Sequence, residues 1–128
     1  MPRGMTSKEL RERCERFSVR VLRFSAPLLD ALATRDCALQ LRRSATSVAQ
    51  NYAACTVARS HADFLSKLRI ALEEADESAR WLRMIRDAGL ASGDELDAVT
   101  AEAAELAAIF GASCATAAKN PAYRQGRR

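Results

Sequence analysis

Arg13, Arg16, Arg20 and Arg23 recur at steps of three and four residues, which sets four guanidinium groups along one face of a helix. Each group is permanently charged and presents a fork of donors, so such a row can match a row of phosphates in RNA or DNA. A solvated face with local ion pairs explains part of the row equally well. Glu9 precedes Arg13 by four residues, and Glu12 precedes Arg16 by four, the favourable orientation for helical ion pairs. Arg20 and Arg23 have no acid four residues before them.

Carboxylates cluster at Glu73, Glu74, Asp76 and Glu77. A di-iron site in a helical bundle takes Glu-x-x-His twice with further glutamates, and this chain holds a single histidine, His61, well before the acids. No metal is therefore expected. Asp76 and Arg80 are spaced as a helical pair, and Glu73, Glu74 and Glu77 are expected to meet Arg42 or Arg43 on a neighbouring helix. Gln40, Arg43, Ser44, Ser47 and Asn51 form a polar helical face. Serine and asparagine are weak helix formers in mid-helix, so this face is expected to be an interhelical seam of side-chain hydrogen bonds; the alternative is a ligand groove. The five glycines are isolated and make no phosphate loop, and His61 has no evident partner as a catalytic base. His61 is expected as an exposed residue of a first helical turn. No cofactor and no enzymatic activity are expected.

These groups need rigid elements to position them, and the apolar spacing supplies four. Leu10, Cys14, Phe17, Val21, Phe24, Leu28 and Ala31 form one stripe. Leu41, Ala45, Val48, Tyr52 and Cys55 form a second; Phe64, Leu68, Ala71, Ala75, Ser78, Leu82 and Ile85 a third; Leu96, Val99, Ala103, Leu106 and Phe110 a fourth. Each is one face of an amphipathic helix, and four such faces close on one another as an all-α, antiparallel, up-down-up-down four-helix bundle. Helices are predicted over about 7–32, 36–59, 60–88 and 93–119. Ser7, Asp36 and Ser60 are the expected N-caps, with Asp63 completing a near capping box. Pro27 should kink the first helix, and Gly89 should end the third in left-handed conformation. Residues 1–123 form one domain, and the tail 124–128 is basic and disordered.

At 128 residues, with 48% apolar residues but only 5% aromatic, the core is rich in alanine and thin in large side chains. Ile70, Trp81 and Met84 make a second apolar edge that a lone bundle would leave exposed, which points to a homo-oligomer. The net charge of +4 is a mild excess. Cys14, Cys37, Cys55 and Cys114 lie in no CxxC pair and are expected as reduced, structural thiols. The N-terminus has no apolar h-region, and no run approaches the roughly 20 apolar residues that span a bilayer, so a soluble cytoplasmic protein without membrane contact is expected.

The run from Gln40 to Asn51, the run from Ser60 to Ala75, and Trp81-Leu82 together resemble two linked blocks of a bacterial family. That family is named for proteins encoded in 23S rRNA intervening sequences, and the resemblance spans about residues 16–90. It implies a four-helix bundle assembled as a ring-shaped homopentamer, without cofactor or catalytic residues. A related group serves the reverse transcriptase of diversity-generating retroelements as an accessory protein, with a basic surface for nucleic acid. Arg43, Ser47 and Asn51 would be motif positions of the second helix, and Lys67, Glu74 and Glu77 those of the third. The family usually carries NxxEA, where this chain has Asn51-Tyr52-Ala53-Ala54-Cys55.

Two functions follow as expectations. The first is a non-enzymatic oligomer that binds RNA or DNA without sequence preference through Arg13, Arg16, Arg20, Arg23 and the basic tail. The second is a protein-interaction scaffold whose ring presents a groove or central opening to a partner, a reverse transcriptase or another protein.

Overall fold

A computed structural model describes residues 4–120; the expected disordered tail, with Arg124, Arg127 and Arg128, lies outside the described residues. Within them the chain forms four α-helices and no strand: α1 (Ser7–Ser25), α2 (Leu32–Thr56), α3 (His61–Asp87) and α4 (Asp94–Lys119). Each helix packs on the next, α1 returns against α4, and the diagonal pairs meet through side chains without close backbone approach, which is the arrangement of a four-helix bundle.

The predicted stripes are the core. All five α4 positions, Leu96, Val99, Ala103, Leu106 and Phe110, are buried, as are the five α2 positions and the seven α3 positions. On α1, Leu10, Cys14, Phe17 and Val21 are buried, while Phe24 and Leu28 sit half-buried at the margin. Ala31 is exposed. Tyr52 and Phe110 stack at 5.6 Å and join α2 to α4 across the centre. Cys14 and Cys55 are buried, and burial pushes the Cys14 thiol up to about 12.

The first connection corrects the sequence-based boundaries. Thr6, not Ser7, caps α1: its hydroxyl accepts from the Glu9 amide at 3.1 Å, and its own amide donates to the Glu9 carboxylate at 3.2 Å. Glu9 is thereby turned away from Arg13. Pro27 stops α1 rather than kinking it. The helix ends at Ser25, a 3-10 turn covers Ala26–Asp30, and Pro27 occupies its first turn, where a missing N–H removes no bond. Ala31 is extended (φ −113°, ψ 138°), and α2 begins at Leu32, so residues 33–35 are helical and Asp36 caps nothing. Arg42 compensates the broken end: its guanidinium donates at 2.8 Å both to the Leu22 carbonyl and to the Ser25 hydroxyl.

The other junctions follow their local chemistry. α2 stops at Thr56, three residues short of the expected Arg59. Ser60 accepts from the Asp63 amide at 3.0 Å and starts α3. Gly89 (φ +72°) closes α3, with the Leu90 amide donating to the Ile85 carbonyl at 3.0 Å. α4 is the one described helix long and apolar enough to cross a membrane by length and composition. The sequence reading had missed this because alanine supplies much of the apolarity; the large side chains Leu96, Leu106, Ile109 and Phe110 point into the bundle.

Candidate functional site

The polar residues singled out in sequence converge on the edge where α2 and α3 meet. On α3, Lys67, Glu74 and Trp81 repeat every seven residues, and so do Ile70, Glu77 and Met84, so the six share the edge toward α2. Opposite them on α2 stand Gln40, Arg43, Ser47, Asn51 and Ala54. The antiparallel register is fixed by bonds along its length. Arg43 donates to Glu74 at 3.1 Å and to Glu77, and Ser47 donates to Glu74 at 3.0 Å. Deeper in, the buried hydroxyl of Ser78 donates to that of Ser44 at 2.9 Å. The Asn51 amide donates to the Ser47 carbonyl and hydroxyl at 2.9 and 3.0 Å, and Trp81 Nε1 donates to Glu77 at 3.4 Å.

Local chemistry explains the ladder. Small hydroxyls at Ser44 and Ser78 let the helices approach, and each also bonds a carbonyl of its own helix, so neither polar group is buried without partners. Glu74 is only 15% exposed and accepts from two residues of α2. The adjacent Glu74 and then Glu77 hold the Arg43 guanidinium above its ordinary value. Arg42 does not join these acids, contrary to expectation, because it caps α1. Gln40 is exposed and Lys67 half-buried; neither makes a hydrogen bond or ion pair with a described residue. Ile70 and Trp81 are half-buried and Met84 is 50% exposed, so apolar surface brackets the charged middle of the edge.

The arginine row is split. Arg13 grips Glu102 with two donors at 2.7 and 2.8 Å and reaches Glu105 at 2.8 Å, which holds its guanidinium well above the usual value. Arg20 pairs with Glu95 at 2.9 Å, and that pairing lowers the Glu95 carboxyl. These two arginines fasten α1 to α4. Arg16 and Arg23 remain exposed beside Glu12, Glu15 and Val19 along a shallow open groove. The expected Glu9–Arg13 and Glu12–Arg16 pairs do not form. The heptad step from Arg13 to Arg20, mirrored by the step from Glu95 to Glu102, was the sequence signal for the α1–α4 pairing, and local spacing alone obscured it. Among the described residues, no three His, Cys, Asp or Glu side chains gather as a metal site. His61 lies half-buried against Phe64 rather than exposed, with ring centroids 6.4 Å apart.

A family model described as 23S rRNA-intervening sequence protein matches residues 7–112, a span that takes in α1, α2, α3 and most of α4. The chain belongs to that family. The match extends the resemblance seen over 16–90 and includes the whole α2–α3 edge. A crystal structure of a protein of unknown function from the S23 ribosomal protein family of Bacteroides thetaiotaomicron VPI-5482 has the same fold. Its TM-score is 0.79 at 24% identity, over 87% of this chain and 99% of that one. Among curated proteins, none matches this chain. One heptad along from the Ser47–Glu74 contact, Ala54 comes level with Lys67.

Proposed function

We propose that the protein is a non-enzymatic interaction module: copies of the bundle associate through the α2–α3 edge, and the assembly presents its remaining surface to a macromolecular partner. One observation carries this reading. Ile70, Trp81 and Met84 leave apolar surface on an edge where Arg43, Glu74 and Glu77 are already paired with one another. The Trp81 end and the middle of such an edge can dock without burying an unpaired arginine, with the unpartnered Lys67 at the opposite margin. Light scattering tests it. The wild type should be oligomeric at micromolar concentration, five copies being the number implied by family resemblance. Trp81→Asp should release protomers while Arg16→Ala should not. A wild type that runs as a lone protomer removes the reading.

A second reading, sequence-independent binding of RNA or DNA, is favoured by the exposure of Arg16 and Arg23 on one helix face. It is narrower than the sequence suggested, because Arg13 and Arg20 are engaged by α4. Filter binding at low and high salt decides it: retention should fall steeply with salt, and Arg16→Glu with Arg23→Glu should weaken it. No retention at low salt ends it.

A further inference from the structure

From Ser44 to Ala58 the chain carries no charged residue, and Gln50, Ala53 and Ala54 on the outer face of α2, with Val57 just past its end, form one strip. Val57 is 73% exposed, Gln50 is exposed, and the two alanines are half-exposed. This strip is flat, small and neutral.

Cations border it on both sides. The Ser18 hydroxyl meets the Ala45 carbonyl and Arg42 meets the Leu22 carbonyl, so α1 and α2 run antiparallel in a fixed register. In that register Arg11 on α1 stands level with Tyr52 and Ala53. On the other side, the Ser47–Glu74 and Cys55–Phe64 contacts set Lys67 level with Ala53 and Ala54. Lys8 and Arg59 extend the two borders toward the same end of the bundle. None of these four has an ion-pair partner among the described residues, although Arg11 and Lys67 are half-buried. The nearest acids on their own helices do not compensate them: Glu15 makes no ion pair, and Asp63 accepts from the Arg59 amide at 3.4 Å at the start of α3. The contrast with Arg13, Arg20 and Arg43 is sharp, since each of those has a carboxylate in contact.

We propose that this strip is a docking face for an amphipathic helix of a partner protein whose apolar stripe is flanked by aspartates and glutamates. Alanines at the seam allow close helix approach, Val57 gives an apolar anchor, and Arg11 and Lys67 stand where flanking charges select a partner in helix-to-helix pairing. A phosphate backbone fits less well, because the centre of the strip is apolar and the cations are held apart on two different helices. The strip shares Ala54 and Lys67 with the α2–α3 edge but lies two heptads along α3 from Trp81, at the other end of that edge.

The probe is a fluorescein-labelled synthetic helical peptide with leucine and alanine on one face and glutamates along both sides, titrated against the full chain by anisotropy. Controls are a scrambled peptide of the same composition and an oligothymidine strand of equal charge. The helical peptide should bind more tightly than both. Lys67→Glu and Arg11→Glu should each weaken it by roughly tenfold, Val57→Asp should abolish it, and Trp81→Asp, two heptads from Lys67, should not weaken it. Ala54→Glu, which supplies Lys67 with an acid inside the chain, should weaken binding without lowering the melting temperature. Circular dichroism checks that each variant keeps its helices, with Lys67→Gln standing in should a reversal unfold. Equal binding of the scrambled peptide, tighter binding of the oligonucleotide, or indifference to Lys67 and Arg11 overturns the proposal.

Discussion

The α2–α3 and α1–α4 interfaces join helices of similar character by different means. Between α2 and α3, a continuous apolar core is overlaid by a ladder of short side chains, Ser44, Ser47, Asn51 and Ser78, closed by Arg43, Glu74 and Glu77. Between α1 and α4, contact is sparser, and long side chains reach across it from Arg13 to Glu102 and Glu105 and from Arg20 to Glu95. Short polar groups hold two helices close and demand a fixed register. Long ion pairs bridge a wider gap and tolerate change, because solvent shares the work. The first interface is therefore the rigid side of the bundle, and the second is the adjustable side.

The contrast can be broken in graded steps. Leu68→Ala, in the fully buried part of α3, should cost about 2–5 kcal/mol by urea denaturation, the usual range for a large-to-small change in a close-packed core. Glu74→Ala should cost about 1–3 kcal/mol, since it strands Ser47 and one arm of Arg43 at a largely buried site. Arg13→Ala should cost about 1 kcal/mol, because both it and Glu102 are 18% exposed, and the loss should shrink as salt is raised. Arg20→Ala should change stability by no more than about 0.5 kcal/mol, as both partners are open to solvent. If Arg20→Ala proves more damaging than Glu74→Ala, the assignment of rigid and adjustable sides is reversed.

The Arg20 pair also has a pH signature. Glu95 is depressed in the folded state by Arg20, so its contribution is present above the ordinary glutamate value and is lost as pH falls through the folded value. The small difference between wild type and Arg20→Ala should therefore be seen at neutral pH and vanish in acid, once Glu95 is protonated in the folded state as well. Paired urea titrations at the two pH values measure it. A difference that persists in acid means the arginine acts through packing instead.

Periodicity made the core legible: each predicted stripe on α2, α3 and α4 is buried, because a 3.6-residue repeat over several turns admits one orientation. The polar seam was legible for a related reason. Serine and asparagine in mid-helix are unfavourable unless they find partners, and here they do. The first connection was not legible. Pro27 permits either a kink or a stop, and the choice is settled by Arg42, fifteen positions later in the chain, capping the carbonyl of Leu22. Pairings between α1 and α4 were hidden by nearer acids: Glu9 is drawn off by Thr6, a competition between a cap and an ion pair that spacing does not rank. Isolation was harder to see than contact. Arg11 and Lys67 stand out only once the register shows that the α2 stretch between them is neutral.

The pairing of Arg13 with Glu102 spans 89 residues. On a growing chain, α1 emerges first, yet the carboxylates that fasten it arrive with the final helix. Until then its buried face has only α2 to lean on, and closing so long a loop carries an entropic cost. Pulse-labelled hydrogen exchange during refolding should find α3 and α4 amides protected before those of α1; simultaneous protection would contradict this order. Of the four helices α1 is thus made before the others yet secured last, and until α4 forms, Leu10, Phe17 and Val21 are covered from the α2 side alone.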